Sequence, residues 1–146
     1  MENLDTALEQ RVWQRVRPSE EALSLQPLVA AEQSLAATYR MLMGMLQGQE
    51  RLLLRRLFET ERRHGQMLSG MYLLTEGKPL SVRTVPLKAD RPETALRKCY
   101  GQTLRAMRAY EGQKHDPEHG HVFRYLAQQE EEQARMILEI LGSLQR

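Results

Sequence analysis

Glu61-Arg-Arg-His64 sets a carboxylate and an imidazole one helical turn apart, and both fall where an apolar stripe should continue. Leu54, Leu57, Glu61, His64, Leu68 and Met71 follow one another at steps of three and four, which is one face of a helix. A charged group on a core face costs several kcal/mol unless it is paired, neutralised or bound to a cation. Glu32 interrupts the face of Leu25, Leu28, Leu35 and Tyr39 in the same way, and Glu130 with Gln133 the face between Leu126 and Ile137. Helices that face a common axis would bring Glu32, Glu61, His64 and Glu130 to similar depth. Three carboxylates in one interior raise one another's pKa and do not all stay charged without a cation. Oxygen donors with one imidazole suit iron, manganese or zinc better than copper(I), which prefers sulfur.

The elements that must position these residues are helical. Prolines stand only at 18, 27, 79, 86, 92 and 117, and the stretches between them are rich in Leu, Met, Ala, Glu, Gln and Arg, the good helix formers. A short amphipathic segment from Leu4 to Val16 precedes Pro18. A first long helix is expected from about Leu25 to Gln47, with Pro27 in its opening turn, and a second from about Gln49 to Glu76, stopped by Gly77. The third is expected to open at Pro92 behind Asp90 and the fourth at Pro117 behind Asp116, each with a proline after an N-cap. The pattern predicts an all-α four-helix bundle over residues 20–146 with an N-terminal arm over residues 1–19. Short links make helices one and two, and three and four, antiparallel neighbours. The segment from Gly77 to Asp90 could extend roughly 45 Å, and a 28-residue helix is roughly 42 Å long. It is therefore read as a crossover that makes helices two and three parallel, although a surface loop between antiparallel helices would read similarly.

Composition narrows the function. A chain of 146 residues is one domain with room for a substantial core. A net charge of +2, with bases and acids interleaved, argues against a nucleic-acid partner. One cysteine, Cys99, excludes an internal disulfide and a four-cysteine metal ribbon. No stretch approaches the roughly 20 apolar residues of a membrane span, and no secretory leader is evident, so a cytoplasmic location without membrane attachment is expected.

The chain also repeats itself. A shift of 69 positions lays Leu57, Glu61, Met67 and Leu68 over Leu126, Glu130, Met136 and Ile137, and His64 over Gln133. A shift of 71 lays Tyr39 over Tyr110 and Glu32 over Thr103. Each half reads as a helical hairpin with a tyrosine seven residues after a core-facing polar position on its first helix.

Glu32 through Tyr39, Glu61-Arg-Arg-His64 and Leu126-Ala-Gln-Gln-Glu130-Glu-Glu-Gln133 together resemble the ferritin-like superfamily, and most closely its rubrerythrin-like members, over about Leu25 to Leu141. That resemblance implies a four-helix bundle holding two metal ions, with a Glu from each of two helices and a Glu-x-x-His from each of the other two. Glu32 then corresponds to the single Glu of the first helix, Glu61 and His64 to the motif of the second, and Glu130 to the Glu of the fourth. Thr103 and Gln133 occupy the positions of the third-helix Glu and the fourth-helix His, so two of six ligands are replaced. They remain as auxiliary donors, and Tyr39 and Tyr110 as groups behind the ligands or as core packing. The resemblance implies one or two iron or manganese ions and reaction of ferrous iron with oxygen or peroxide. Rubrerythrins proper carry a four-cysteine iron site that this chain lacks, so an external electron donor is implied. A homodimer is also expected. The alternative is a metal-free ferritin-like interaction or scaffold module with a vestigial polar core. Cys99 reads as core, the histidines at 115, 119 and 121 as loop residues, and Arg51, Arg55, Arg56, Arg62 and Arg63 as the wet side of helix two.

Overall fold

The computed structural model describes the backbone of residues 20–145 and the side chains from Leu25 to Gln145. The N-terminal arm expected over residues 1–19 lies outside the described residues. Four helices and no strand make up the described chain: α1 (Glu20–Met43), α2 (Gly48–Glu76), α3 (Pro92–Gly112) and α4 (Gly120–Leu144). None is long and apolar enough to cross a membrane.

Every helix buries one narrow stripe. On α2 it runs Leu54, Leu57, Glu61, His64, Leu68, Met71; on α3 Leu96, Cys99, Thr103, Ala106, Tyr110; on α4 Phe123, Leu126, Glu130, Gln133, Ile137, Ile140. Steps alternating between three and four give a repeat of 3.5 residues, the period at which helices pack at shallow angles along a shared seam. The α1 stripe of Leu25, Val29, Glu32, Leu35, Tyr39 and Leu42 follows the same rule. In all four helices the polar residue sits near the middle, with apolar side chains above and below.

The apolar residues therefore form two clusters with a polar layer between them. Leu35, Tyr39 and Leu42 of α1 pack with Leu53, Leu54 and Leu57 of α2, Leu96 and Cys99 of α3, and Ile137 and Ile140 of α4. Leu25 and Val29 pack with Leu68, Met71 and Tyr72, with Ala106 and Tyr110, and with Phe123 and Leu126. The connection of residues 77–91 touches both clusters: Leu80 and Val82 pack on the second, Leu87 and Ala89 on the first. Thr38 ties it down midway. The Thr38 hydroxyl, fully buried, donates to the Ser34 carbonyl at 2.7 Å and accepts the Leu87 amide at 2.9 Å.

Helix ends differ from the sequence expectation in three of the four helices. First, α1 starts at Glu20, so Pro27 stands inside it rather than in its opening turn, and it stops at Met43 instead of near Gln47. An internal proline removes one backbone hydrogen bond, which burial of Leu25 and Val29 on either side offsets. The Arg51 guanidinium reaches back from α2 to the Met43 and Leu46 carbonyls at 2.8 and 3.1 Å and caps the end. Second, the N-cap of α3 is Arg91, not Asp90, with no side-chain cap. Third, α4 begins at Gly120 rather than Pro117. Asp116 accepts the Glu118 and His119 amides at 2.9 and 2.7 Å, so it closes a local turn and does not cap the helix. Gly120 is needed there because a Cβ would stand 2.5 Å from the Lys114 carbonyl oxygen. Gly77 ends α2 as expected, with φ 73° and its amide on the Leu73 carbonyl.

Replacing Thr38 by valine keeps the shape but strands the Leu87 amide. Urea unfolding should show a loss of about 1–3 kcal/mol. Thr60→Val, where the exposed hydroxyl donates to the Arg56 carbonyl of its own helix and accepts a long contact from Arg63 at 3.4 Å, should stay within about 0.5 kcal/mol of the parent.

Candidate metal centre

The polar layer collects residues from all four helices. Glu32 comes from α1, Glu61 and His64 from α2, Thr103 from α3, and Glu130 and Gln133 from α4; none is more than 2% exposed. His64 Nδ1 stands 3.1 Å from Glu32 Oε2, 3.1 Å from Glu130 Oε1 and 4.0 Å from Glu61 Oε2. Four donor atoms, one each from Glu32, Glu61, His64 and Glu130, lie within 4.8 Å of one another. Metal–oxygen and metal–nitrogen bonds of about 2.1 Å put opposite ligands about 4.2 Å apart. The cluster is thus close to coordination size as it stands.

Its hydrogen bonding is incomplete. Glu32 Oε1, both oxygens of Glu61, Glu130 Oε2, Thr103 Oγ1, the whole amide of Gln133 and the hydroxyls of Tyr39 and Tyr110 are buried with no hydrogen-bond partner in the protein. Each unsatisfied polar atom costs about 1–3 kcal/mol, and more when charged. Such a concentration in the middle of an otherwise apolar bundle sets this layer apart from the rest of the described core. His64 Nε2 also has no partner, so the ring is oriented from its carboxylate side alone.

Charge in the metal-free cluster is held down by protons. Burial pushes Glu61 well above the usual carboxylate range, and the charges of Glu32 and Glu130 push it further, with the Gln133 amide opposing weakly. Glu130 rises to about 8 through burial and the Glu32 charge, partly offset by His64. Burial lowers His64, yet hydrogen bonds to Glu130 and Glu32 outweigh it and raise the imidazole to about 9. Burial also raises Glu32, but contacts with Glu61, His64 and Glu130 overcome that and leave it below its ordinary value. The directions together favour a protonated imidazole beside the Glu32 carboxylate, with Glu61 and Glu130 holding their protons to higher pH than ordinary carboxylates.

The tyrosines cross between the halves. Tyr39 of α1 is raised first by burial, then by nearby Cys99 and Glu61, and its hydroxyl is turned to Thr103 of α3. Tyr110 of α3 is raised by burial and by the three carboxylates, with its hydroxyl turned to Glu32 of α1. Each tyrosine thus faces the polar position of the other half. That position is a carboxylate, Glu32, in the first half and a hydroxyl, Thr103, in the second.

Every residue proposed from sequence as a ligand or auxiliary donor lies in this layer. Cys99 is fully buried, with burial raising its thiol to about 12, and acts as core. The sequence reading did not single out Gly65, Arg40 or Phe58, which with Arg62 and Glu61 line a cavity of about 670 Å³ between α1 and α2. The available signal was Gly65 itself. Mid-helix glycine costs up to about 1 kcal/mol relative to alanine, and no tight contact requires it there, since a Cβ would meet only Gln33 Cγ at 3.9 Å. No family model, curated protein or solved structure matches this chain.

The proton-rich cluster gives chelator-treated protein a distinctive pH profile. His64 moves from 6.5 to about 9 on folding, so its contribution is fully present below 6.5 and lost as pH rises through about 9. Glu130 moves from 4.5 to about 8, so the fold holds a proton the unfolded chain has released, and stability again falls as pH rises. The downward shift of Glu32 acts in the opposite sense, but only in the acid range below 4.5. Unfolding free energy should therefore fall between pH 6 and 9 by about 1.4 kcal/mol per pH unit for each proton retained. His64→Gln should flatten the profile. A parent profile that is level or rising over this range would contradict the assignment.

Proposed function

We propose that this chain is a ferritin-like metal-binding protein whose polar layer takes one divalent iron or manganese ion through Glu32, Glu61, His64 and Glu130. The observation that carries the reading is the convergence of four donor atoms within 4.8 Å, several of their neighbours being buried polar atoms without partners. The donor set fits such an ion: three carboxylates supply charge and hard oxygen atoms, and the imidazole raises affinity for a transition metal over calcium or magnesium. Thr103 and Gln133 offer neutral oxygens only, so Glu130 is the one anionic donor from the second hairpin and a second ion has too few.

The ferritin-like part of the reading rests on the internal repeat and on chain direction. The first halves of α2 and α3 share one apolar cluster and their second halves the other, with the 77–91 connection touching both. This supports an end-to-end crossover between parallel helices, joining two hairpins about a pseudo-twofold axis. Bound in the layer, iron would supply one-electron chemistry toward oxygen or peroxide, with electrons from an external donor. The protein's own part is to hold the ion, cover it above and below with the two apolar clusters, and give up the protons that His64, Glu61 and Glu130 carry when no ion is bound.

Anaerobic loading with ferrous iron followed by desalting should leave about one ion per chain, with release of about two to three protons per ion. Glu61→Ala and His64→Ala should each weaken binding at least tenfold. Joint introduction of Thr103→Glu and Gln133→His should raise occupancy toward two. No retained iron or manganese in the parent would overturn the reading.

A further inference from the structure

The cavity between α1 and α2 is not part of the polar layer, yet it reaches it. Glu61 lies on its floor, 1% exposed and with neither carboxylate oxygen partnered. Ala36 and Phe58 give it apolar walls, and Arg40 and Arg62 stand exposed on its lining. Thr84, from the connection, closes one side by donating to Gln33 Oε1 at 2.7 Å. A volume of about 670 Å³ lies within the usual range for small-molecule sites, which combine apolar walls with a few polar groups.

Three features say what it would hold. The ion pairs outside the polar layer among the described residues are Arg91 with Glu93, Lys114 with Glu111, His119 with Glu118 and Arg135 with Glu131, so neither Arg40 nor Arg62 has an acidic partner there. Arg62 is instead parked over the Phe58 ring, 5.7 Å from its centroid. Two cations flanking one mouth repel a metal ion and attract an anion, and a guanidinium fork matches a carboxylate. Gly65 lies on the lining, where a Cβ would meet only Gln33 Cγ at an ordinary 3.9 Å, so the mid-helix glycine is not required by a close contact and a large side chain there would narrow the cavity. Of the four donors in the polar layer only Glu61 lines the cavity, and the cations and apolar walls that would hold a ligand lie outside that layer.

We infer that this cavity binds a small organic monoanion with a compact apolar body, its charge at Arg40 and Arg62 and its body between Ala36 and Phe58, reaching toward Glu61.

The probe is 1-naphthoate, titrated calorimetrically into the full chain with and without chelator, beside neutral 1-naphthalenemethanol and cationic 1-naphthylmethylamine. One naphthoate per chain should bind, at least tenfold more tightly than either analogue and in both metal states. Arg40→Gln and Arg62→Gln should each weaken it fivefold or more, and Gly65→Leu should abolish it in a chain of parental helicity. Should Gly65→Leu fail to fold, Ala37→Leu narrows the same cavity from the α1 side and should weaken binding comparably. Absence of naphthoate binding, equal binding of the three probes, or parental affinity in a folded cavity-filling variant would overturn the inference. So would a dimer that excludes the probe and admits it only when diluted to monomer, since a second copy would then own this face. Binding with no metal retained would separate this site from the neighbouring centre.

Discussion

Taking three carboxylates and an imidazole out of water into the middle of a bundle is the constraint on which the rest of this structure depends. Left charged and unpaired, each would cost several kcal/mol, against a total stability of about 5–15 kcal/mol for a domain of this kind. The metal-free chain meets the constraint with protons: His64 stays charged beside Glu32, while Glu61 and Glu130 hold theirs far above the ordinary carboxylate range. Protons neutralise charge, but they do not supply partners for the oxygens that remain unbonded. A divalent ion would do both.

The apolar architecture follows from the same constraint. A 3.5-residue repeat runs through all four helices, and the polar residues interrupt it at matching depth, so the layer is sealed above and below by the Leu54–Leu57–Leu96 and Leu68–Phe123–Leu126 packing. The two clusters close the layer at its ends, while the α1–α2 cavity approaches it from the side at Glu61. The two hairpins are similar in plan and unequal in chemistry: Tyr39 faces Thr103 where Tyr110 faces Glu32, and Gln133 stands where the other hairpin has His64. Thr103 and Gln133 are neutral where the first hairpin has Glu32 and His64, so most of the layer's titratable groups belong to the first hairpin. The α1–α2 face then adds an opening of its own, with Gly65 next to His64 and the cations Arg40 and Arg62 outside.

Most of the polar layer was legible in the sequence because it depends on periodicity. Glu32, Glu61, His64 and Glu130 betray themselves as polar residues on apolar faces, and one repeat length aligns Glu61 with Glu130. What escaped depends on contacts between segments. Asp116-Pro117 has the composition of a helix start, but Asp116 spends its carboxylate on a turn and the Lys114 carbonyl sits where only Gly120 fits. The start of α1 was misplaced because Pro27 reads as a boundary, whereas burial on both sides carries the helix through it. The cavity was invisible for a related reason: no run of residues encodes it, and it exists only because Ala36, Gly65 and the connection at Thr84 come together in space.

The central claim is that one ion belongs among Glu32, Glu61, His64 and Glu130. Crystals of iron-loaded protein, measured on both sides of the iron absorption edge, test it most directly. The account predicts a single anomalous peak about 2.1 Å from His64 Nδ1 and from an oxygen of each of the three carboxylates, with none beside Thr103 and Gln133. Crystals from the same loading with no peak there, and with the carboxylates closed on one another through shared protons, would contradict it.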